Sequence, residues 1–124
     1  MNLCVIPARG GSKRIKHKNI KMFNGKPIIA YSIEAALKSK CFSKVIVSTD
    51  DNEIAEVAEK FGAYVPFVRP SNLSNDFAGT IPVVKHAINW MEKNNNKFDN
   101  VCCLYATAPF VRPDIISKAY EQLL

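Results

Sequence analysis

At 124 residues and 48% hydrophobic content, the chain has material for one modest domain and no more. A formal net charge of +6 favours anionic partners, among them nucleotides, sugar acids, nucleic acid and acidic lipid. No apolar stretch could span a bilayer, the N-terminal run is too short and polar for a signal peptide, and the cysteines, Cys4, Cys41, Cys102 and Cys103, lack the C-x-x-C spacing of zinc sites. Buried, reduced thiols in a cytoplasmic protein are the expectation.

Leu3 to Ile6 is a continuous apolar run and predicts a strand buried on both faces of a parallel sheet. It feeds a loop with adjacent glycines, Gly10 and Gly11, and the basic side chains Arg9, Lys13, Arg14, Lys16, His17 and Lys18. Asn24-Gly25 signals a turn, and Pro27 sits where a helix would begin. Ile28, Ile29, Ile33, Ala36 and Leu37 recur at helical spacing, which predicts a helix over 27–38 with Lys38 and Lys40 near its negative end. Lys44 to Ser48 is rich in β-branched residues and predicts a second strand. Either Asp50 or Asp51 can cap the next helix, whose inner face is Ile54, Ala55, Val57, Ala58 and Phe61 and whose stop is Gly62. The aspartate pair could also be read as metal ligands, but its place just before a helical pattern favours the cap.

Ala63 to Val68 predicts a third strand, broken by Pro66 and therefore an edge or irregular one. The polar loop Arg69 to Gly79 is long for a compact domain, and such loops are often functional. Thr80 is expected to cap a third helix with Val83, Val84, Ala87, Ile88 and Met91 as its buried stripe; His86, mid-helix, reads as structural. Asn94-Asn95-Asn96 is a connector. Asn100 to Tyr105 predicts a fourth strand, Thr107 to Pro113 a loop, and a final helix starts near Asp114 and runs to Leu124.

Strands alternating with helices give an α/β fold with a mostly parallel sheet and helices on both faces. Ligands of such sheets gather at the carboxyl ends of the strands, here residues 7–13, 48–52, 69–80 and 105–112. The first of these is the most charged. Its glycines let backbone N–H groups approach phosphate oxygens, and its Lys and Arg side chains neutralise them. Because much of the positive excess sits in this one loop, a nucleoside triphosphate fits better than a nucleic-acid track. A non-catalytic nucleotide- or RNA-binding module is the alternative of another class. Neither G-x-x-x-x-G-K-[ST] nor G-x-G-x-x-G is present.

The ordered string Ile6-Pro7-Ala8-Arg9-Gly10-Gly11-Ser12-Lys13, with Lys18-Asn19-Ile20 beyond it, closely resembles the signature loop of the nonulosonic (sialic-type) acid cytidylyltransferases. The resemblance implies a Rossmann-like fold of the nucleotide-diphospho-sugar transferase kind, and transfer of CMP from CTP to an acidic nine-carbon sugar with release of pyrophosphate. It implies Arg9, Lys13 and Lys18 as catalytic residues facing the triphosphate. Ala8, Gly10, Gly11, Ser12 and Asn19 would surround the nucleotide, and Arg69, Ala78 and Thr80 would contact the cytidine. The five-donor fork of Arg69 also suits the cytosine carbonyl and ring nitrogen.

Leu104-Tyr105-Ala106-Thr107-Ala108-Pro109-Phe110 resembles the matching string of the pseudaminic acid cytidylyltransferases, where sialic acid enzymes carry a Gln-Pro-Thr-Ser-Pro type. Tyr105 in place of a glutamine changes the donors and acceptors and adds an aromatic face. Tyr105 and Thr107 are therefore the implied sugar-binding residues, with pseudaminic acid preferred over N-acetylneuraminate. The resemblance also implies Mg2+ or another divalent cation and a homodimeric parent enzyme, with no membrane or nucleic-acid partner. It covers residues 1–124, but only the first half of a family member: the nucleotide-binding N-terminal part of a single cytidylyltransferase domain. The chain reads as a truncated piece, with metal ligands expected in the later half and none here.

Overall fold

Residues 1–10, 20–74, 79–94, 96–106, 113, 114 and 116 are described by a computed structural model. Along the chain run β1 (Asn2–Pro7), the short strands β2 (Met22–Phe23) and β3 (Lys26–Pro27), α1 (Ile28–Ser39), β4 (Lys44–Ser48), α2 (Asn52–Lys60), α3 (Thr80–Lys93) and β5 (Asn100–Cys103). β1 is the middle strand of a parallel sheet of order β4-β1-β5. Cys4 stands beside Val45 of β4 and Cys102 of β5.

Side chains alternate across the sheet, and this alternation builds two cores. Cys4, Ile6 and Ala8 pack with Ile29, Ile33 and Ala36 of α1 and with Ile54 and Ala58 of α2. Leu3 and Val5 pack with Ala87 and Met91 of α3. β4 divides in the same way, Val45 and Val47 to the first core and Ile46 to the second. Helices therefore cover both faces, as the strand–helix alternation predicts. Leu3, Cys4, Val5 and Ile6 are fully buried, which is why that run shows no polar alternation. Each large aliphatic side chain buried there contributes about 1.5–3 kcal/mol.

Several local expectations are corrected. Pro27 is the N-cap of α1, with φ −55 and ψ 139, and lies outside the helix. Asn24 and Gly25 have φ 47 and 89 and form the tight turn between β2 and β3, which pair antiparallel. Such two-residue strands carry too little pattern to be foreseen. The predicted third strand is reduced to isolated parallel bridges of Tyr64 to Ile46 and Val68 to Thr49. Pro66 lies between them and has no N–H to continue the ladder. Gly79, not Thr80, precedes α3 as its N-cap, and no side chain caps that end. β5 stops at Cys103 and not at Tyr105, and its burial alternates because it is the edge strand among the described residues. The buried-thiol expectation holds only for Cys4; Cys102 and Cys103 of the edge strand are half-buried and exposed, respectively, and Cys41, after α1, is half-buried. Of the expected final helix, Pro113, Asp114 and Ile116 are helical and the remainder lies outside the described residues.

Candidate active site

From β1 the chain passes through α1 to β4, then through α2 and α3 to β5 on the other side of β1. The connections thus part in opposite directions. In open α/β sheets ligands are held in the crevice outside the carboxyl ends of the strands at such a point, here those of β1 and β5. Ala8, Arg9 and Gly10 leave β1 at that crevice, and Leu104, Tyr105 and Ala106 leave β5. The two exits are tied down. The Leu104 N–H donates to the Val5 carbonyl at 3.1 Å, and the fully buried Ser32 hydroxyl of α1 donates to the Tyr105 carbonyl at 2.8 Å. Tyr105 is left 62% exposed.

The loop after β1 is held from β4. The Ala8 N–H donates to the Ser48 carbonyl at 2.9 Å, one step beyond the strand. Two residues on, the Gly10 N–H donates to Asp50 Oδ1 at 2.8 Å, so a carboxylate takes the place of the next carbonyl. A Cβ on Gly10 would lie 2.6 Å from Asp51 Cβ and 2.7 Å from its Oδ2. Asp51 cannot easily withdraw, because its Oδ1 accepts the N–H groups of Glu53 at 2.9 Å and Ile54 at 3.1 Å as the cap of α2. Of the two aspartates, Asp51 is therefore the cap and Asp50 is the loop's acceptor.

Arg69 is 4% exposed, although a loop arginine would be expected in solvent. Three of its five donors point into the protein: Nε to Ser48 Oγ at 3.1 Å, Nη2 to the Ser48 carbonyl at 2.6 Å, and Nη1 to the Leu73 carbonyl at 3.2 Å. Burial lowers its pKa, the negative charge of Asp50 opposes that, and Arg9 lowers it further. Arg9, Asp50 and Arg69 thus share one electrostatic neighbourhood at the carboxyl edge. Thr80 opens α3, which returns the chain from that edge towards the start of β5. Gly11, Ser12, Lys13, Lys18, Asn19, Ala78 and Thr107 lie outside the described residues.

Sequence reasoning missed Ser48 and Asp50 as partners of Arg69 and Gly10. The signal was present, since Ser48-Thr49-Asp50-Asp51 is a polar run at a strand's carboxyl end. His86 stands edge-on to Phe67 with ring centroids 4.8 Å apart, and its buried Nδ1 has no hydrogen-bond partner among the described residues. Among the described residues no cluster of His, Cys, Asp and Glu is arranged to hold a metal. No helix among them is long and apolar enough to cross a membrane.

A family model described as Cytidylyltransferase matches residues 3–124. The chain belongs to the cytidylyltransferase family. This cytidylyltransferase chain is 57% identical over 123 residues to pseudaminic acid cytidylyltransferase of Campylobacter jejuni subsp. jejuni, covering 99% of this chain and 53% of that protein. It is 43% identical over 119 residues to CMP-N,N'-diacetyllegionaminic acid synthase of Legionella pneumophila subsp. pneumophila, covering 96% of this chain and 51% of that one. Among solved structures, CMP:2-keto-3-deoxy-manno-octonic acid synthetase complexed with CTP matches with a TM-score of 0.79 and 27% identity, over 98% of this chain and 46% of that one. The chain spans about half the length of the curated relatives it matches. The parallel sheet with helices on both faces is the expected nucleotidyltransferase architecture.

Proposed function

We propose that the protein carrying this cytidylyltransferase chain transfers CMP from CTP to pseudaminic acid and releases pyrophosphate. The observation that carries the reading is the 57% identity to a pseudaminic acid cytidylyltransferase across 99% of this chain. The strand order supports it, because Arg9 and Gly10 after β1 and the exposed Tyr105 after β5 leave neighbouring strands at one edge. In the reaction the anomeric hydroxyl oxygen of the sugar acid bonds to the α-phosphorus of CTP. The bond from that phosphorus to the oxygen bridging to the β-phosphate breaks, pyrophosphate leaves with that oxygen, and the hydroxyl proton is released. Positioning and charge neutralisation supply most of the rate in such a displacement.

In this reading Ala8, Gly10, Gly11, Ser12 and Asn19 cradle the nucleotide, and Arg9, Lys13 and Lys18 oppose the charge of its phosphates. Arg69, Ala78 and Thr80 border the cytidine. The internal hydrogen bonds of Arg69 make it a rigid wall there, with fewer donors to offer cytosine than an open arginine. Tyr105 and Thr107 face the sugar acid. A divalent cation, Mg2+, would share the triphosphate's charge. Asp50 and Asp51 are engaged by backbone N–H groups, and no cluster among the described residues is arranged to hold it. Cysteines held as thiols suit a reducing cytoplasm, and a homodimer is the expected assembly.

A panel of acceptors with the full-length protein and CTP, read by pyrophosphate release, tests the reading. Pseudaminic acid should be the fastest acceptor. Faster turnover of N-acetylneuraminate or N,N'-diacetyllegionaminate would replace the preferred sugar and leave the CMP transfer in place. Indifference to CTP, together with RNA affinity that falls linearly with salt on logarithmic axes, would replace the enzyme with a binding module.

A further inference from the structure

At the carboxyl edge of β4 two neighbouring aspartates act on the same glycine in different ways. Asp51 fills the space where Gly10 would carry a Cβ, and is itself locked as the cap of α2. Asp50 reaches across from β4 and accepts the Gly10 N–H at 2.8 Å. Gly10 is buried, and in sequence it directly precedes the basic segment from Gly11 to Asn19. The backbone at Gly10 is therefore held by a carboxylate that no phosphate-binding pattern in the sequence includes.

We propose that Asp50 is a positioning residue for CTP. By holding the Gly10 N–H it fixes the exit of the phosphate-binding loop, and it touches neither the nucleotide nor a metal. This inference rests on the CTP-dependent reading of the crevice.

The placement explains three features together. First, a negative charge at the mouth of a polyanion site would ordinarily repel the ligand; here one carboxylate oxygen is spent on a backbone donor, and its charge faces Arg69. Second, a charge-assisted hydrogen bond to backbone is stronger than a neutral one, so it holds a glycine that would otherwise sample many conformations. Third, the adjacent Asp51 removes room for any other residue at that position. Together they hold Gly10 stiffly where the chain leaves β1.

The test uses Asp50→Ala and Asp50→Asn in the full-length protein. The asparagine amide oxygen keeps an acceptor for the Gly10 N–H and drops the charge. Asp50→Ala should raise KM for CTP about tenfold or more, leave KM for the sugar acid within about twofold, and speed hydrogen exchange at the Gly10 amide. Asp50→Asn should bring KM for CTP and the exchange rate back to within about threefold of wild type. An Asp50→Ala protein with wild-type KM for CTP overturns the proposal. So does an Asp50→Asn protein as impaired as Asp50→Ala, because the carboxylate charge would then act on something other than Gly10. If Asp50→Ala does not fold, the Asn variant and the wild-type Gly10 amide decide: an unprotected amide in the wild type overturns the contact. A wild type that turns over CTP beside an unaffected Asp50→Ala sinks this inference alone. A wild type inert to CTP sinks the functional reading, while the amide exchange still reports on the contact.

Discussion

Gly10 is where the chemistry of single residues is most exacting. A methyl group there would meet Asp51 atoms at 2.6 to 2.9 Å, and those atoms belong to a locked helix cap. Gly10→Ala should therefore destabilise by about 1–3 kcal/mol through overpacking, read as a lower denaturation midpoint at unchanged m-value. A midpoint equal to wild type would show that Asp51 moves freely. His86 gives a pH-dependent prediction. Burial lowers its pKa below the ordinary 6.5, with Arg69 and Lys93 lowering it further. The folded state then holds a neutral imidazole at pH values where the unfolded chain has begun to bind a proton. Stability that is full above 6.5 is lost as pH falls below it. Thermal melts of wild type and His86→Phe across that range check the sign: the variant should lose less stability on acidification. Parallel curves would remove His86 from the account.

At the scale of elements, helix ends repay attention. Asp51 caps α2 through two backbone N–H groups, and Asp51→Ala should cost about 1 kcal/mol in stability. Lys40 ends α1 in the left-handed region at φ 57. A lysine there pays about 1–2 kcal/mol that glycine does not, so Lys40→Gly should raise the denaturation midpoint despite glycine's greater chain entropy. A lowered midpoint would mean that the lysine side chain contributes more than its backbone costs. These ends also show what the sequence reveals. Strand β4 and the helix after it were legible because β-branched residues, then an aspartate, then a helical stripe all agree. The segment 63–68 was legible only as irregular, since Pro66 interrupts its ladder. Thr80 misled because a threonine before a helical run ordinarily caps it, yet here Gly79 already has the extended backbone of the cap, at φ −79 and ψ 168.

At the scale of the molecule, the sheet order β4-β1-β5 does what no local pattern could. It puts the exits of β1 and β5 side by side, although roughly the whole chain separates them in sequence. The basic loop and Tyr105 were each legible as strings of residues; that Arg9 and Tyr105 leave neighbouring strands follows from topology. The burial of Arg69 was not legible, because its partners are a hydroxyl and carbonyls contributed by Ser48 and Leu73. Such partners carry no charge or period to mark them. Family membership over residues 3–124 agrees with the loop-based expectation.

Nucleotide selectivity in the full-length protein tests the central claim most directly. Thermal melts would be recorded with magnesium and CTP, UTP, ATP or GTP in turn, for wild type and for Lys13→Ala and Lys18→Ala. A ligand at one hundred times its dissociation constant stabilises by about 2.7 kcal/mol, which a melt resolves easily. The account predicts a rise in melting temperature with CTP well above that with the other three, and its loss in both lysine variants. An equal rise with all four nucleotides, or a CTP-selective rise that survives both substitutions, would contradict it.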